Sequence, residues 1–226
     1  MNKPYLIIVG GPTASGKSSL AEKVIKHAKL NSNTYENVII DNLVESNPYF
    51  KKKVSEYIKE LKLTKTNEEI IEMFSNPHND LIQIFNDYYY FARSKTDCNT
   101  GSECENTKNE FKGECNTCGK LNDMNLRNGL ETGKNVVFET MVTYWPKWIF
   151  DEYNKTIKNH NYQIIIAWSI VDLCELIDRN KKRTLEVLKT FLEDDTSIVP
   201  RLPEIRIKEY TEVVRKIIET FTPLKI

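Results

Sequence analysis

The sequence predicts an α/β fold in which helices cover both faces of a central parallel sheet, and two observations predict it. Short, largely apolar segments rich in β-branched residues recur at residues 5–9, 38–40, 135–138 and 163–168, as is typical of buried parallel strands. Longer stretches with apolar residues at helical spacing separate these segments. Strand and helix therefore alternate, which favours parallel strands joined by helical crossovers.

The helices are predicted from this spacing and from boundary signals. The first strand leads into a helix at about residues 17–30, and Asn47-Pro48 is a typical N-cap followed by a first-turn proline. Gly133-Lys134 ends a helix before the third strand, and Pro203 is expected to begin the last one. The other helices are predicted at about residues 47–61, 67–74, 80–91, 123–131, 146–159, 171–191 and 203–221.

Composition and length indicate one ordinary globular domain that carries an insertion. The chain has 226 residues, of which 40% are hydrophobic and 28% charged, and 32 basic residues balance 32 acidic ones. One domain over 1–226, with a cysteine-rich insertion at 93–120, is therefore expected. Zero net charge argues against a general nucleic-acid or membrane-surface binder, because such a protein needs a strong positive field.

The cellular setting is predicted from targeting signals and cysteines. The first apolar run covers only residues 5–9, which is too short for a signal-peptide core or a membrane span. Five cysteines are an odd number, and without a signal sequence they indicate reduced thiols or metal ligands rather than a disulfide framework. We therefore expect a cytoplasmic protein without a membrane partner.

The sharpest motif is a phosphate-binding loop between the first strand and the first helix. Gly11-Pro12-Thr13-Ala14-Ser15-Gly16-Lys17-Ser18 matches G-x-x-x-x-G-K-[ST], the Walker A motif. Its glycines let the backbone approach phosphates, and the N–H groups of the loop and of the helix start, through Ser19, are anion donors. Lys17 is predicted to reach the β- and γ-phosphates of ATP, and the Ser18 hydroxyl to ligate Mg²⁺. Together with the alternating strands and helices, this motif predicts a more specific fold class, the three-layer P-loop NTPase sandwich.

Two acidic residues are predicted to complete this site. Asp41 is expected to end the second strand and Glu139 the third, and in parallel sheets ligands bind beyond the carboxyl ends of the strands. Glu139 follows an apolar strand, as in a Walker B motif, and is predicted to hold Mg²⁺. Asp41 is the candidate general base that accepts a proton from the substrate hydroxyl, with Glu45 as a weaker substitute. For both, the alternative is a carboxylate that caps the following turn.

Arginines are concentrated near the end of the chain. Five of seven follow residue 178, and Arg179 and Arg183 share one helix face because they are four residues apart. These two are candidate catalytic residues, since a lid that carries guanidinium groups neutralises the charge of a transferred phosphoryl group. The alternative is a set of surface ion pairs such as Glu175 with Arg179. The other three are Arg201, Arg206 and Arg215.

The insertion contains a C-x5-C-x10-C-x2-C pattern. Its members Cys98, Cys104, Cys115 and Cys118 are candidate ligands of a structural Zn²⁺. The Cys115–Cys118 half has the spacing of a zinc knuckle, whereas five residues between the first two cysteines exceed the usual two to four. Free thiols and disulfides formed on oxidation remain alternatives. The aromatic segment at residues 87–91 could stack on an acceptor base, but packing of the insertion is the favoured interpretation.

The order of elements and the short motifs together resemble the zeta-toxin family of P-loop kinases. The resemblance spans about residues 4–215, with the cysteine-rich segment as an addition. It implies ATP-dependent phosphorylation of a sugar-nucleotide hydroxyl, with Asp41 as base and with Arg179 and Arg183 as clamps. It also implies that Lys17 and Ser18 bind the nucleotide and that Glu139 lies near the substrate or the metal. We therefore expect a kinase with a small-molecule acceptor, such as a nucleotide or sugar nucleotide.

Two other functions remain open. The phosphate loop is similar, letter for letter, to that of tRNA dimethylallyltransferases, although Asp41-Asn42 and Glu139-Thr140 stand where that family has Asp-Ser and Gly-Gly-Thr-Gly. The match covers eight residues, and the chain lacks the positive charge that favours a tRNA substrate. The other alternative is a non-catalytic module switched by ATP, which binds a protein partner through its insertion.

Overall fold

The computed structural model describes residues 3–30, 34–93, 118–140, 146–205 and 207–221. It has four strands: β1 (Tyr5–Gly10), β2 (Tyr35–Ile39), β3 (Asn135–Thr140) and β4 (Gln163–Trp168). The described helices are α1 (Lys17–His27), α2 (Ile40–Ser46), α3 (Pro48–Lys62), α4 (Asn67–Ser75), α5 (Asn79–Arg93), α6 (Cys118–Glu131), α7 (Lys147–Asn159), α8 (Leu173–Glu193) and α9 (Ile207–Phe221). No helix in these described ranges is long and apolar enough to cross a membrane.

All four strands form one parallel sheet in the order β2-β3-β1-β4. Strand β1 is central, which explains why five of its six residues are buried and why its sequence is continuously apolar. The register aligns Gly10 with Thr140 and with Trp168, so the carboxyl ends of β1, β3 and β4 lie at one edge. The predicted α/β class with a parallel sheet is confirmed.

Helices cover both faces of the sheet, as predicted. On one face, Leu6, Ile8 and Phe138 pack with residues of α6 and α7, and on the other, Ile7 and Val9 pack with residues of α1. Alternate residues of β1 thus belong to two cores, because successive side chains of a strand point to opposite faces. This sandwich belongs to the first of two compact units, the sheet unit, which comprises residues 1–39, 125–179 and 205–226.

The second unit, the helical unit, comprises residues 40–124 and 180–204. Its own core contains buried Phe50, Phe74 and Phe85, which come from α3, α4 and α5. Local signals fix the helix starts: the Asn47 side chain accepts a hydrogen bond from the Phe50 N–H, and Thr66 forms a capping box with Glu69. Whether 1–226 folds as one domain stays a prediction, since compactness does not measure independent folding.

Three predicted boundaries were wrong. Strand β2 ends at Ile39, its last residue paired with β3, so Asp41 lies in the first turn of α2 and not at a strand end. There its carboxylate is favourably placed with respect to the helix dipole. Helix α6 begins at Cys118, inside the segment predicted as an insertion, and the last helix begins at Ile207 instead of Pro203. The rest of the predicted insertion, residues 94–117, lies outside the described residues.

Candidate functional site

The predicted phosphate loop runs from the central strand β1 into helix α1, and its glycines are required by its geometry. Gly11 has φ +153° and Gly16 has φ +92°, conformations that side chains with a β-carbon rarely adopt. A β-carbon on Gly11 would also lie 2.6 Å from Ser15 Oγ and 2.9 Å from the Ser169 carbonyl oxygen. Ala14 adopts a left-handed conformation without being glycine, with φ +62°. The backbone is therefore held in a tight, specific curve.

Neighbouring strand ends hold this curve in place. The Gly11 N–H donates to the Thr140 carbonyl oxygen at the end of β3 (3.3 Å), and the Ser169 N–H donates to the Gly10 carbonyl oxygen (2.8 Å). The Ser169 hydroxyl donates to the Ser15 carbonyl oxygen at 2.6 Å. Hydrogen bonds from two neighbouring strands thus fix the loop at the carboxyl edge of the sheet.

The start of α1 is suited to an anion. Its N-cap residue Gly16 has no side chain to cap the helix, and its first turn contains no acidic residue. The first intrahelical bond runs from the Leu20 N–H to the Gly16 carbonyl oxygen (3.0 Å), so the earlier amides of the turn have no carbonyl within the helix. Ser15 is 4% exposed, and its Oγ finds no hydrogen-bond partner among the described residues. A polyanion with acceptor oxygens fits these donors.

The Walker A side chains lie at the same place. Lys17 Nζ donates to the Pro12 carbonyl oxygen at 2.9 Å, so this ammonium group lies over the loop. The Ser18 hydroxyl lies 3.3 Å from Glu139 Oε2, although Ser18 and Glu139 belong to different elements. Glu139 is 6% exposed. A hydroxyl and a carboxylate oxygen in contact are a donor set that suits Mg²⁺, which prefers oxygen ligands.

Of the two predicted arginines, Arg179 lies beside the phosphate loop. Its Nη1 is 3.8 Å from the position that a β-carbon on Gly16 would occupy. Its Nη2 lies 2.5 Å from Glu175 Oε1, the i,i+4 pair considered as the alternative. The side chain is 46% exposed, and such exposed pairs add little to stability. Arg179 is therefore both paired on its own helix and close to the loop.

Asp41 belongs to a group of charged and polar side chains within the helical unit, which we call the Asp41 centre. Its members are Asp41, Glu45, Tyr89, Arg183 and Arg201. Asp41 Oδ1 accepts a hydrogen bond from the Tyr89 hydroxyl at 2.5 Å, and its Oδ2 lies 3.4 Å from Arg201 Nη1. Glu45 Oε1 lies 3.0 Å from Arg201 Nη1 and 3.1 Å from Arg183 Nη2. Two carboxylates and two guanidinium groups thus balance in charge.

Arg201 has the least exposed charged side chain of this centre, 11% exposed against 55% for Arg183. Its guanidinium carbon lies 4.6 Å from the centroid of the Tyr89 ring, a cation–π geometry. Burial alone would lower the pKa of Arg201, but Asp41, Tyr89 and Glu45 raise it. Burial, followed by the charge of Asp41, raises the pKa of Tyr89. Arg201 therefore stays charged, and the Tyr89 hydroxyl stays protonated as a donor.

Of the candidate zinc ligands, Cys118 lies within the described residues, whereas Cys98, Cys104 and Cys115 lie outside them, as does Arg206. Cys118 is 3% exposed in the core of the helical unit, and its Sγ accepts a hydrogen bond from Asn47 Nδ2 (3.4 Å). Burial raises the pKa of this thiol, which opposes the thiolate form that zinc requires. Within the described ranges no group of three potential ligands could hold a metal ion, and the zinc hypothesis stays a prediction.

The sequence does not predict the polar contacts of Tyr89, Arg201 or Ser169. Tyr89 belongs to the aromatic segment that was interpreted as packing, and Phe91 of that segment does pack on Tyr49, with ring centroids 4.4 Å apart. A signal for Arg201 existed, because it lies between Val199 and Leu202, both buried. An arginine among buried apolar residues indicates a buried ion pair. Ser169 is a polar residue that directly follows an apolar strand, and this position indicates a site at the carboxyl end of the strand.

The sheet unit also contains a cavity of about 760 Å³ at the opposite edge of the sheet. It is lined by residues at the amino ends of the strands, among them Tyr5, Tyr35, Asn135 and Gln163. None of the predicted site residues lines it. The phosphate loop and this cavity are therefore separate features of the sheet unit.

Comparison with known proteins gives a similarity to solved structures and none to families or curated proteins. No protein-family model matches the sequence, and no curated protein matches it significantly. The structure is similar to a chain described in the molecular and structural characterization of the PezAT chromosomal toxin-antitoxin system of Streptococcus pneumoniae, with a TM-score of 0.49 and 13% sequence identity. The match covers 97% of this chain and 64% of that one, so the present chain spans less than two thirds of the length of the chain it matches.

Proposed function

We propose that this chain is an ATP-dependent phosphotransferase that acts on a hydroxyl or phosphate group of a small molecule, such as a nucleotide or sugar nucleotide. One observation carries the proposal: a complete Walker A loop whose Ser18 hydroxyl contacts Glu139 Oε2 at 3.3 Å. A glycine-rich anion loop without this pair would only suggest phosphate binding. The contact adds an oxygen pair suited to the Mg²⁺ that accompanies ATP.

On the nucleotide side, each role belongs to a group in the sheet unit. The loop amides and Lys17 bind the phosphates, and Ser18 and Glu139 would hold Mg²⁺, which neutralises charge on the phosphate oxygens. Arg179, whose guanidinium group lies close to Gly16, clamps the transferred phosphoryl group and stabilises the charge that develops on it.

On the acceptor side, we assign the general base to Asp41. Its carboxylate orients the acceptor hydroxyl and accepts its proton as the new phosphorus–oxygen bond forms and the bond to the leaving ADP breaks. Arg183, exposed and paired with Glu45, is the second proposed clamp. The resemblance of the sequence motifs to zeta toxins supports a kinase, and a screen of acceptors is needed to identify the substrate.

The test is a screen of phosphoryl transfer from ATP labelled at the γ-phosphate. The purified chain with Mg²⁺ is incubated with nucleotides, nucleosides and sugar nucleotides, and labelled products are separated. Lys17→Ala should reduce transfer by about 10²–10³-fold, as loss of a group that stabilises transition-state charge does. Lys23→Ala, an exposed lysine of the same helix, is the matched control and should retain activity. ATP binding without any labelled acceptor or hydrolysis would contradict the proposal and favour an ATP-switched module.

A further inference from the structure

We propose that Tyr89 and Arg201 are positioning residues that hold the Asp41 carboxylate ionised and in one orientation. The proposal rests on the proposed function, in which Asp41 is the general base, and extends it to two residues far away in the sequence. Tyr89 is in α5, and Arg201 lies between α8 and α9, whereas Asp41 is in α2. All three belong to the helical unit, so the contacts lie within one compact body.

The two contacts engage different oxygens of the carboxylate. Tyr89 donates to Oδ1 at 2.5 Å, and Arg201 Nη1 lies 3.4 Å from Oδ2. A single partner would leave the carboxylate able to turn about its last side-chain bond. Partners on both oxygens remove that freedom. A base that is already held in a fixed orientation loses less entropy when it aligns with its substrate.

Arg201 is itself held in place. Its carbonyl oxygen accepts a hydrogen bond from Thr184 Oγ1 at 3.0 Å, and its neighbours Val199 and Leu202 are buried in the core of the helical unit. The guanidinium group lies over the ring of Tyr89 at 4.6 Å, so the two partners of Asp41 also support each other. A buried charge of this kind persists only when it is paired, and Asp41 and Glu45 supply the pairing.

Arg183 differs from Arg201 in two respects. Both approach Glu45 Oε1, at 3.1 Å and 3.0 Å, but the contact with Asp41 is made by Arg201. Arg201 also has the buried side chain, whereas that of Arg183 is half exposed. The positioning role therefore belongs to Arg201. Glu45 is a second carboxylate that pairs with the positive charge of Arg201.

The chemical consequence is a carboxylate that acts only as a proton acceptor. A nearby cation and a hydrogen-bond donor both favour the ionised form of a carboxyl group. Among the described residues, the charged and polar groups that surround Asp41 include Tyr89 from α5, Glu45 from α2, Arg183 from α8, and Arg201. The charge of Arg93, also in α5, acts on Tyr89. Removal of either direct partner should therefore move the acid limb of the kcat profile to higher pH.

The gentler test is Tyr89→Phe, which keeps the ring under Arg201 and removes the hydroxyl that contacts Asp41. We expect kcat to fall about tenfold, the value of a hydrogen bond to a charged group, with KM for ATP unchanged and the acid limb displaced upward. Tyr88→Phe is the matched control, since Tyr88 is the preceding residue of the same helix and faces Phe85. It should leave both kcat and the pH profile as in the wild type.

The second test is a double-mutant cycle between Arg201→Gln and Asp41→Asn. If Arg201 acts through Asp41, Arg201→Gln lowers kcat in the wild-type background but has little further effect on the residual transfer of Asp41→Asn. Arg201→Lys should restore part of the loss, because an ammonium group keeps the charge but lacks the planar guanidinium group that lies over the Tyr89 ring. Arg215→Gln, which removes an exposed i,i+4 pair with Glu219, is the control for loss of an arginine.

An NMR titration of the Asp41 carboxyl carbon distinguishes failure of this inference from failure of the proposed function. If the Asp41 carboxyl titrates with a midpoint at higher pH in Tyr89→Phe than in the wild type, the positioning by Tyr89 is supported. This result would hold even if the wild type transferred phosphate to no acceptor, which would show that the proposed function is wrong. An unchanged midpoint in an active, folded enzyme overturns the inference and leaves the kinase proposal intact. Equal losses of kcat for Arg201→Gln with and without Asp41→Asn would also overturn it.

Discussion

In the sheet unit the polar centre is formed mainly by the backbone, whereas in the helical unit it is formed by side chains. The phosphate loop depends on the dihedral angles of Gly11 and Gly16 and on amides held by neighbouring strand ends. The Asp41 centre depends on a guanidinium group, a phenol and two carboxylates that come from three separate segments.

The difference also decides which unit tolerates substitution. A backbone loop is disturbed chiefly by changes that alter its curvature. A network of side chains is disturbed by any change that leaves a buried charge without its partner. The predictions below compare the two units on this basis.

The largest expected effect comes from Asp41→Asn. Transfer should fall by about 10²–10⁴-fold, the usual contribution of a general base, while ATP affinity stays unchanged. Steady-state kinetics and equilibrium ATP binding measure the two properties separately. Asp80→Asn, an exposed position at the start of α5, is the matched control. A wild-type rate in Asp41→Asn with every acceptor would show that Asp41 is not the base.

In the sheet unit, Glu139→Gln should instead lower affinity for ATP in the presence of Mg²⁺. We expect a loss of about tenfold or more, as groups that support a bound metal typically give. Without Mg²⁺ the variant and the wild type should bind ATP alike, because the phosphate loop itself is unchanged. An equal loss with and without the metal would contradict the magnesium role and would indicate damage to the loop.

Gly11→Ala should damage the loop directly. The new β-carbon would lie within 3 Å of Ser15 Oγ and of the Ser169 carbonyl oxygen, and φ +153° is itself unfavourable. We expect a loss of about 1–3 kcal/mol in the free energy of unfolding, the usual cost of such backbone strain, together with a loss of ATP affinity. Urea unfolding and ATP binding measure these effects. Wild-type affinity in Gly11→Ala would show that the loop can bind phosphate in another conformation.

The smallest effect is an alkaline change in stability from Tyr162, a residue of the sheet unit. Its hydroxyl donates to the Lys134 carbonyl oxygen (2.7 Å), and burial raises its pKa from 10.0 to about 12. Because the pKa is higher in the folded state, the stabilisation is complete below pH 10 and is lost as the pH rises towards 12. Urea unfolding between pH 9 and pH 11.5 should show a shallower decline for Tyr162→Phe than for the wild type. Tyr90→Phe, which removes an exposed hydroxyl, should retain the wild-type slope.

The sequence predicted the sheet unit better than the helical unit, for a physical reason. Strand periodicity and the Walker A spacing are local, so they are visible within a few residues, and β4 was predicted with its observed bounds. The contacts of the Asp41 centre join residues that are 48 apart for Tyr89 and Asp41 and 156 apart for Arg201 and Glu45. No pattern within a few residues predicts contacts between residues so far apart. The residue type alone also does not show whether an arginine is buried or exposed.

The buried hydroxyl of Ser15 connects ligand affinity with the stability of the empty protein. A buried polar atom without a partner costs about 1–3 kcal/mol, and this one lies in the phosphate loop, among the donors for a phosphate. An oxygen-rich ligand that accepts a hydrogen bond from this hydroxyl would recover that free energy. Ser15→Ala should raise the melting temperature of the free protein while reducing the further rise that ATP produces. Thermal stability and ligand response would then be inversely linked through a single oxygen atom.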